Sequence, residues 1–118
     1  MMKKIYYLST CDTCKRILKE LPAEDFELQD IKKQPITNEE LAVLYASTKS
    51  YEALINKRSQ QFKVRNIDKN TLTEEDYKNL LLDHYAFLKR PVIIMGDQLF
   101  IGNNKKTIAA AREALSNG

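Results

Sequence analysis

The sequence predicts an α/β domain built on a mixed four-stranded sheet, and three observations carry that prediction. The first 31 residues alternate an apolar strand, an amphipathic helix and a second short strand. A middle stretch carries two helix-capping signatures, and two apolar runs around Gly96-Asp97 precede an alanine-rich close.

Ile5-Tyr6-Tyr7-Leu8 is aromatic and branched and is bounded by Ser9 and Thr10, so it reads as a buried strand. Ile17, Leu18 and Leu21 then recur at helical spacing, with Lys15, Arg16, Lys19 and Glu20 facing out and Pro22 closing the pattern. Phe26, Leu28 and Ile31 alternate with Glu27, Gln29 and Asp30 as a second strand. A strand-helix-strand unit this short closes as a right-handed crossover, which makes the two strands parallel.

Thr37 with Glu40 forms a capping box ahead of Leu41, Val43, Leu44 and Tyr45, and a helical insertion over about residues 37–88 begins there. Ser50 to Ile55 and Ser59 to Val64 read as shorter helical turns. Thr73 with Asp76 opens a clearer helix through Tyr77, Leu80, Leu81 and Tyr85. Val92-Ile93-Ile94-Met95 and Gln98-Leu99-Phe100-Ile101 form a β-hairpin about the Gly96-Asp97 turn, with Pro91 opening its first strand. A last helix spans Thr107 to Leu115 after a break at Gly102-Asn103-Asn104. The order β-α-β, helices, β-β-α is that of a thioredoxin-like domain, with one domain expected over residues 1–118.

Composition narrows the function. A chain of 118 residues, 43% hydrophobic and 30% charged, is balanced for a globular protein and not for a disordered one. A net charge of +3, from 19 basic and 16 acidic residues scattered along the chain, gives no reason to expect direct nucleic-acid binding. Val92 to Met95 is too short an apolar run to span a bilayer, and the N-terminal residues lack a secretory pattern, so a cytoplasmic protein without a membrane partner is expected.

Both cysteines fall in Cys11-Asp12-Thr13-Cys14, at the first strand-to-helix junction. In a reducing compartment such a pair stays as thiols unless it takes part in exchange. At a helix start the first sulfur meets unpaired N–H groups and the positive dipole end, which favour thiolate. With Thr10 as N-cap, Cys11 lies in the first turn near the surface and Cys14 about one turn further in, so Cys11 attacks and Cys14 resolves. Lys15 and Arg16 add positive charge that Asp12 partly offsets. The bland alternative is two small buried hydrophobes. A zinc site would need further soft ligands, and His84, the only other candidate, reads as an ordinary hydrogen-bonded histidine; no metal is expected. Tyr6, Tyr45, Tyr77 and Tyr85 sit at apolar positions and read as core.

The segments Tyr7 to Lys15, Leu54 to Arg58, Leu88-Lys89-Arg90-Pro91-Val92 and Leu99 to Gly102 together resemble the arsenate reductase (ArsC) and Spx branch of thioredoxin-like proteins. The resemblance implies a nucleophilic Cys11 flanked by Arg58 and Arg90, with Thr10, Thr13, Lys15 and Pro91 completing the substrate side. Guanidinium groups suit an oxyanion because they are fixed, charged and multi-donor, and their field also lowers a thiol pKa. Pro91 matches the position at which this fold places a cis-proline beside the active cysteine. Tyr7 stands where the reductases often carry a histidine, Gly102 to Lys105 where they use a third arginine, and Cys14 where they commonly have serine, as in the Spx-like branch.

The resemblance implies a cysteine-dependent oxidoreductase that reduces arsenate or a disulfide. It would bind no cofactor and be reset by an external thiol reductant, glutathione with glutaredoxin or thioredoxin. The alternative is an Spx-like redox regulator docking on RNA polymerase. Such regulators usually extend past the last core helix with a basic segment, whereas this sequence closes on Ser116-Asn117-Gly118, which inclines the expectation to the enzyme.

Overall fold

The computed structural model describes residues 1–117 as two compact units. One joins Met1–Gln34 to the segment from Arg90 onward; the other is Pro35–Lys89, where the sequence predicts the helical insertion.

The first unit holds the sheet. Its strands are β1 (Lys3–Tyr7), β2 (Glu27–Asp30), β3 (Val92–Met95) and β4 (Gln98–Ile101), in the order β2-β1-β3-β4. β1 runs parallel to β2 and antiparallel to β3, and β3 is antiparallel to β4, so the sheet is mixed as predicted. Gly96 turns the hairpin at φ +63°, a conformation that costs a side-chain-bearing residue more than glycine. Helices α1 (Asp12–Glu20) and α5 (Lys105–Asn117) contribute Ile17, Ile108, Ala111 and Leu115 to a core with Ile5, Leu21 at the end of α1, Phe26, Ile93 and Met95. Burying each branched side chain of this kind contributes roughly 1.5–3 kcal/mol.

The structure departs from the sequence reading of this unit at β2 and at the last helix. Leu28, expected to be sheltered, is 51% exposed, whereas its neighbour Gln29 is buried. The alternation is real and places Leu28 in register with Ile5, but β2 is an edge strand and little covers it there. Gln29, in register with buried Tyr6, is accommodated by donating its side-chain N–H to the Gln34 carbonyl at 2.9 Å. Phe26 and Ile31 flank β2 and are buried, and Ile31 still donates its N–H to the Tyr7 carbonyl at 2.9 Å. The last helix begins at Lys105 and not at Thr107, because Asn104 Oδ1 accepts the Thr107 N–H at 2.8 Å and so caps it two residues earlier.

The second unit is helical: α2 (Asn38–Thr48), α3 (Gln60–Val64) and α4 (Glu74–Asp83), with short 3₁₀ turns at Glu52–Leu54 and Tyr85–Phe87. Both predicted capping boxes are present. Thr37 and Glu40 exchange hydrogen bonds of 3.1 and 2.9 Å, and Thr73 and Asp76 bonds of 3.2 and 2.9 Å. Tyr85 lies beyond the helix that the sequence pattern assigns it to, since His84 ends α4 and its Nδ1 accepts the Ala86 N–H at 2.9 Å, opening the 3₁₀ turn. Leu54, Phe62, Tyr77, Leu81, Phe87 and Leu88 are buried, with Phe62 set edge-on to Phe87. Tyr6 is likewise buried, while Tyr45, half-buried, stacks on Tyr51. Among the described residues no helix is long and apolar enough to cross a membrane.

Candidate active site

The cysteine pair sits where the chain leaves the sheet. Beyond Tyr7, the end of β1, the segment Leu8 to Cys11 turns back on itself, closed by a hydrogen bond from the Cys11 N–H to the Leu8 carbonyl at 3.0 Å. The N-cap of α1 is Cys11, not Thr10: its backbone is extended at φ −102° and ψ 110°, and its carbonyl accepts the Lys15 N–H at 3.1 Å. Thr10 falls in the turn before the helix and is exposed, because the turn closed at Cys11 leaves no residue between it and the first helical position, Asp12. No conventional side-chain hydrogen bond closes the cap. The position that a serine or threonine oxygen would fill belongs to sulfur.

The two thiols differ sharply in environment. Cys11 is partly exposed and Cys14, one turn further in, has no exposed surface. Burial pushes the Cys11 thiol up, but the Cys14 N–H and thiol, together with the charge and hydrogen bond of Arg90, outweigh it and bring its pKa below the ordinary value. Cys14 is pushed up to about 12, chiefly by burial and further by the negative charge of Cys11, against a smaller lowering from the Leu8 backbone and Arg90. The folded protein therefore holds Cys14 neutral; the stability tied to it is present below the ordinary thiol value of 9.0 and is lost as pH rises toward about 12. Such a pair can present one anionic sulfur while keeping the second as a protonated hydrogen-bond donor.

Arg90 lies two residues before β3 and is joined to Pro91 by a cis peptide bond. Pro91 is buried, and its carbonyl accepts the Gly102 N–H at 2.9 Å. The cation acting on Cys11 is thus Arg90, brought from the far end of the sequence by the β1–β3 pairing. Lys15 is exposed and directed to Asp12, 3.9 Å away, and Arg16 is exposed as well. Thr13 is half-buried within the first turn of α1. Arg58 belongs to the helical unit, where it is exposed and its N–H donates to Asn56 Oδ1 at 3.1 Å. Asp30 belongs to no segment that marks it in the sequence, yet the Ser9 N–H donates to Asp30 Oδ1 at 3.2 Å, tying the cysteine turn to the end of β2. Among the described residues no group of three or more histidine, cysteine, aspartate or glutamate side chains could hold a metal ion.

A cysteine pair at the first strand-to-helix turn of a mixed sheet, with a cis-proline opening the third strand, defines a thioredoxin-like protein. Within that class the chain belongs to the ArsC family, whose model matches residues 6–111. It is 32% identical to an uncharacterized protein of Haemophilus influenzae, over 93% of this chain and 98% of the other. It is 28% identical to the global transcriptional regulator Spx of Enterococcus faecalis, over 91% of this chain and 83% of that one. An arsenate reductase (ArsC) related protein from Brucella melitensis superimposes with a TM-score of 0.70 at 23% identity, covering 93% of both chains, and so shares the fold.

Proposed function

We propose that this protein is a cytoplasmic thiol oxidoreductase in which Cys11 is the nucleophile and Cys14 the resolving thiol, acting on a disulfide or on arsenate. The observation that carries the reading is the asymmetry of the pair: a partly exposed sulfur with a lowered pKa beside Arg90, and a buried one with a raised pKa.

With a disulfide substrate, the Cys11 thiolate attacks one sulfur, the substrate S–S bond breaks, and the departing thiolate takes a proton from solvent. The mixed disulfide leaves Cys11 uncharged, which removes one of the influences holding Cys14 protonated. Cys14 then loses its proton and attacks the Cys11 sulfur, expelling the second substrate thiolate and closing a Cys11–Cys14 disulfide. Two electrons have passed to the substrate, and an external thiol, glutathione with glutaredoxin or thioredoxin, returns them. Arg90, and Arg58 by resemblance, would face an oxyanion substrate, with Thr10, Thr13, Lys15 and Pro91 on the substrate side.

Similarity to Spx supports a second reading, a regulator in which the same thiol pair is a redox switch and the fold docks on RNA polymerase. One experiment separates the two. Wild type, Cys11→Ser and Cys14→Ser are titrated for thiol reactivity across pH and assayed with arsenate, with a generic disulfide and for retention on polymerase subunits. The enzyme reading expects a Cys11 midpoint clearly below about 8.5, no turnover without Cys11, and a trapped mixed disulfide without Cys14. Equal reactivity of both sulfurs would refute it, and redox-dependent retention on polymerase without turnover would transfer the pair to regulation.

A further inference from the structure

We propose that Asp30 is a positioning residue for the Cys11 sulfur, acting through its grip on Ser9 in the turn that leads to the cysteine; the inference rests on the nucleophile reading of Cys11.

Asp30 is built as a fixed post. It is the last residue of β2, in register with Tyr7 at the end of β1. Its backbone carbonyl accepts the Lys33 and Gln34 N–H groups at 3.1 and 2.8 Å, and Oδ1 accepts the Lys32 N–H at 3.2 Å. The same oxygen reaches across to the Ser9 N–H at 3.2 Å. Past Tyr7 the chain has left the strand ladder, so the turn from Leu8 to Cys11 relies on bonds of this kind for its position. Ser9 lies two residues before the nucleophile, and the Cys11 N–H closes on the residue just before Ser9 at 3.0 Å. A shift of Ser9 is therefore passed to the helix cap that Cys11 occupies.

The charge state fits the role. Burial pushes the Asp30 carboxyl up, but hydrogen bonds from the Ser9 side chain and backbone and from the Lys32 backbone, with the Lys33 charge, bring it below the usual carboxylate value. It is thus ionised wherever the thiol chemistry operates, and bonds to an ionised acceptor are stronger than those to a neutral one. Oδ2, by contrast, is buried with no hydrogen-bond partner. Stability alone gives little reason to keep a charge with one oxygen unmatched, whereas a strong anchor for the turn does.

Position and charge have opposite signs here, so experiment can tell them apart. Removing a negative charge near a thiolate lowers the thiol pKa; loosening the turn takes the sulfur away from the Cys14 N–H and Arg90 and raises it. The full-length chain, as wild type, Asp30→Ala, Asp30→Asn and Ser9→Ala, is labelled with iodoacetamide from about pH 5 to about pH 9, and Cys11 labelling is followed by peptide mass spectrometry. Asp30→Ala should slow Cys11 labelling at about pH 6 roughly fivefold and raise the midpoint. Asp30→Asn, whose amide oxygen can still accept the Ser9 N–H, should fall between it and wild type, and remains informative if the alanine variant does not fold. Ser9→Ala should slow labelling about twofold. Urea unfolding of the same variants separates stability from position: a midpoint that stays at the wild-type value in the Asp30 variants, or moves down, overturns the inference whatever stability does. An undepressed Cys11 midpoint in wild type would instead sink the nucleophile reading, and this inference with it.

Discussion

The start of α1 and the starts of α2 and α4 solve the same physical problem in opposite ways. Every helix begins with N–H groups that lack an intrahelical partner. At Thr37 and Thr73 those groups are consumed by side-chain oxygens, and the Glu40 and Asp76 carboxylates return the bond to the cap. At Cys11 there is no such closure, and the N–H of Cys14 acts on a sulfur instead. The helical unit closes these helix starts with side-chain oxygens, whereas the sheet unit leaves the start of α1 without one and sets a sulfur there. The cap position that lacks a side-chain oxygen is the one whose sulfur has its pKa lowered.

Substitutions at the two kinds of helix start test that contrast. The largest stability effect is expected where the boxes are complete: Thr37→Ala or Thr73→Ala should cost about 1 kcal/mol, read as a lowered urea midpoint, and leave the Cys11 titration where it was. A moved Cys11 midpoint in either variant would show that the two kinds of helix start are not independent. Next comes Arg90→Ala, which should raise the Cys11 midpoint and cut its alkylation rate near neutral pH about threefold, with added salt producing a smaller change in the same direction in wild type. The smallest effect has the opposite sign for stability. Cys11→Ser, although it removes the proposed nucleophile, places a good capping oxygen at an extended N-cap and should raise stability by a few tenths of a kcal/mol in urea unfolding. A loss of stability there would mean that the sulfur contributes to the fold and that the contrast is drawn in the wrong place.

Which features are legible in the sequence depends on the range of the interaction behind each. The capping boxes can be read directly, because both partners lie within four residues of one another. The covered Cys14 is equally legible, since helical spacing alone places it a turn inside Cys11. Residue chemistry points to Thr10 as the cap because threonine caps better than cysteine; the backbone turn from Leu8 to Cys11, which composition does not specify, moves the cap one residue on. Proximity in sequence likewise suggests that Lys15 acts on Cys11, yet Lys15 faces Asp12. The exposure of Leu28 is hidden for a related reason: period-two alternation tells which residues share a face but not whether a strand lies at the edge of the sheet.

Local spacing is enough to set the element order, the helix starts of the helical unit and the placement of two thiols at a strand-to-helix junction, because each depends on residues only a few positions apart. It does not bring Arg90 to Cys11, which the family resemblance alone anticipates, or Asp30 at the end of β2 to the Ser9 N–H; strand pairing in the folded sheet does both. A field or a hydrogen bond depends on distance through space, and strand pairing sets those distances between residues far apart in the chain.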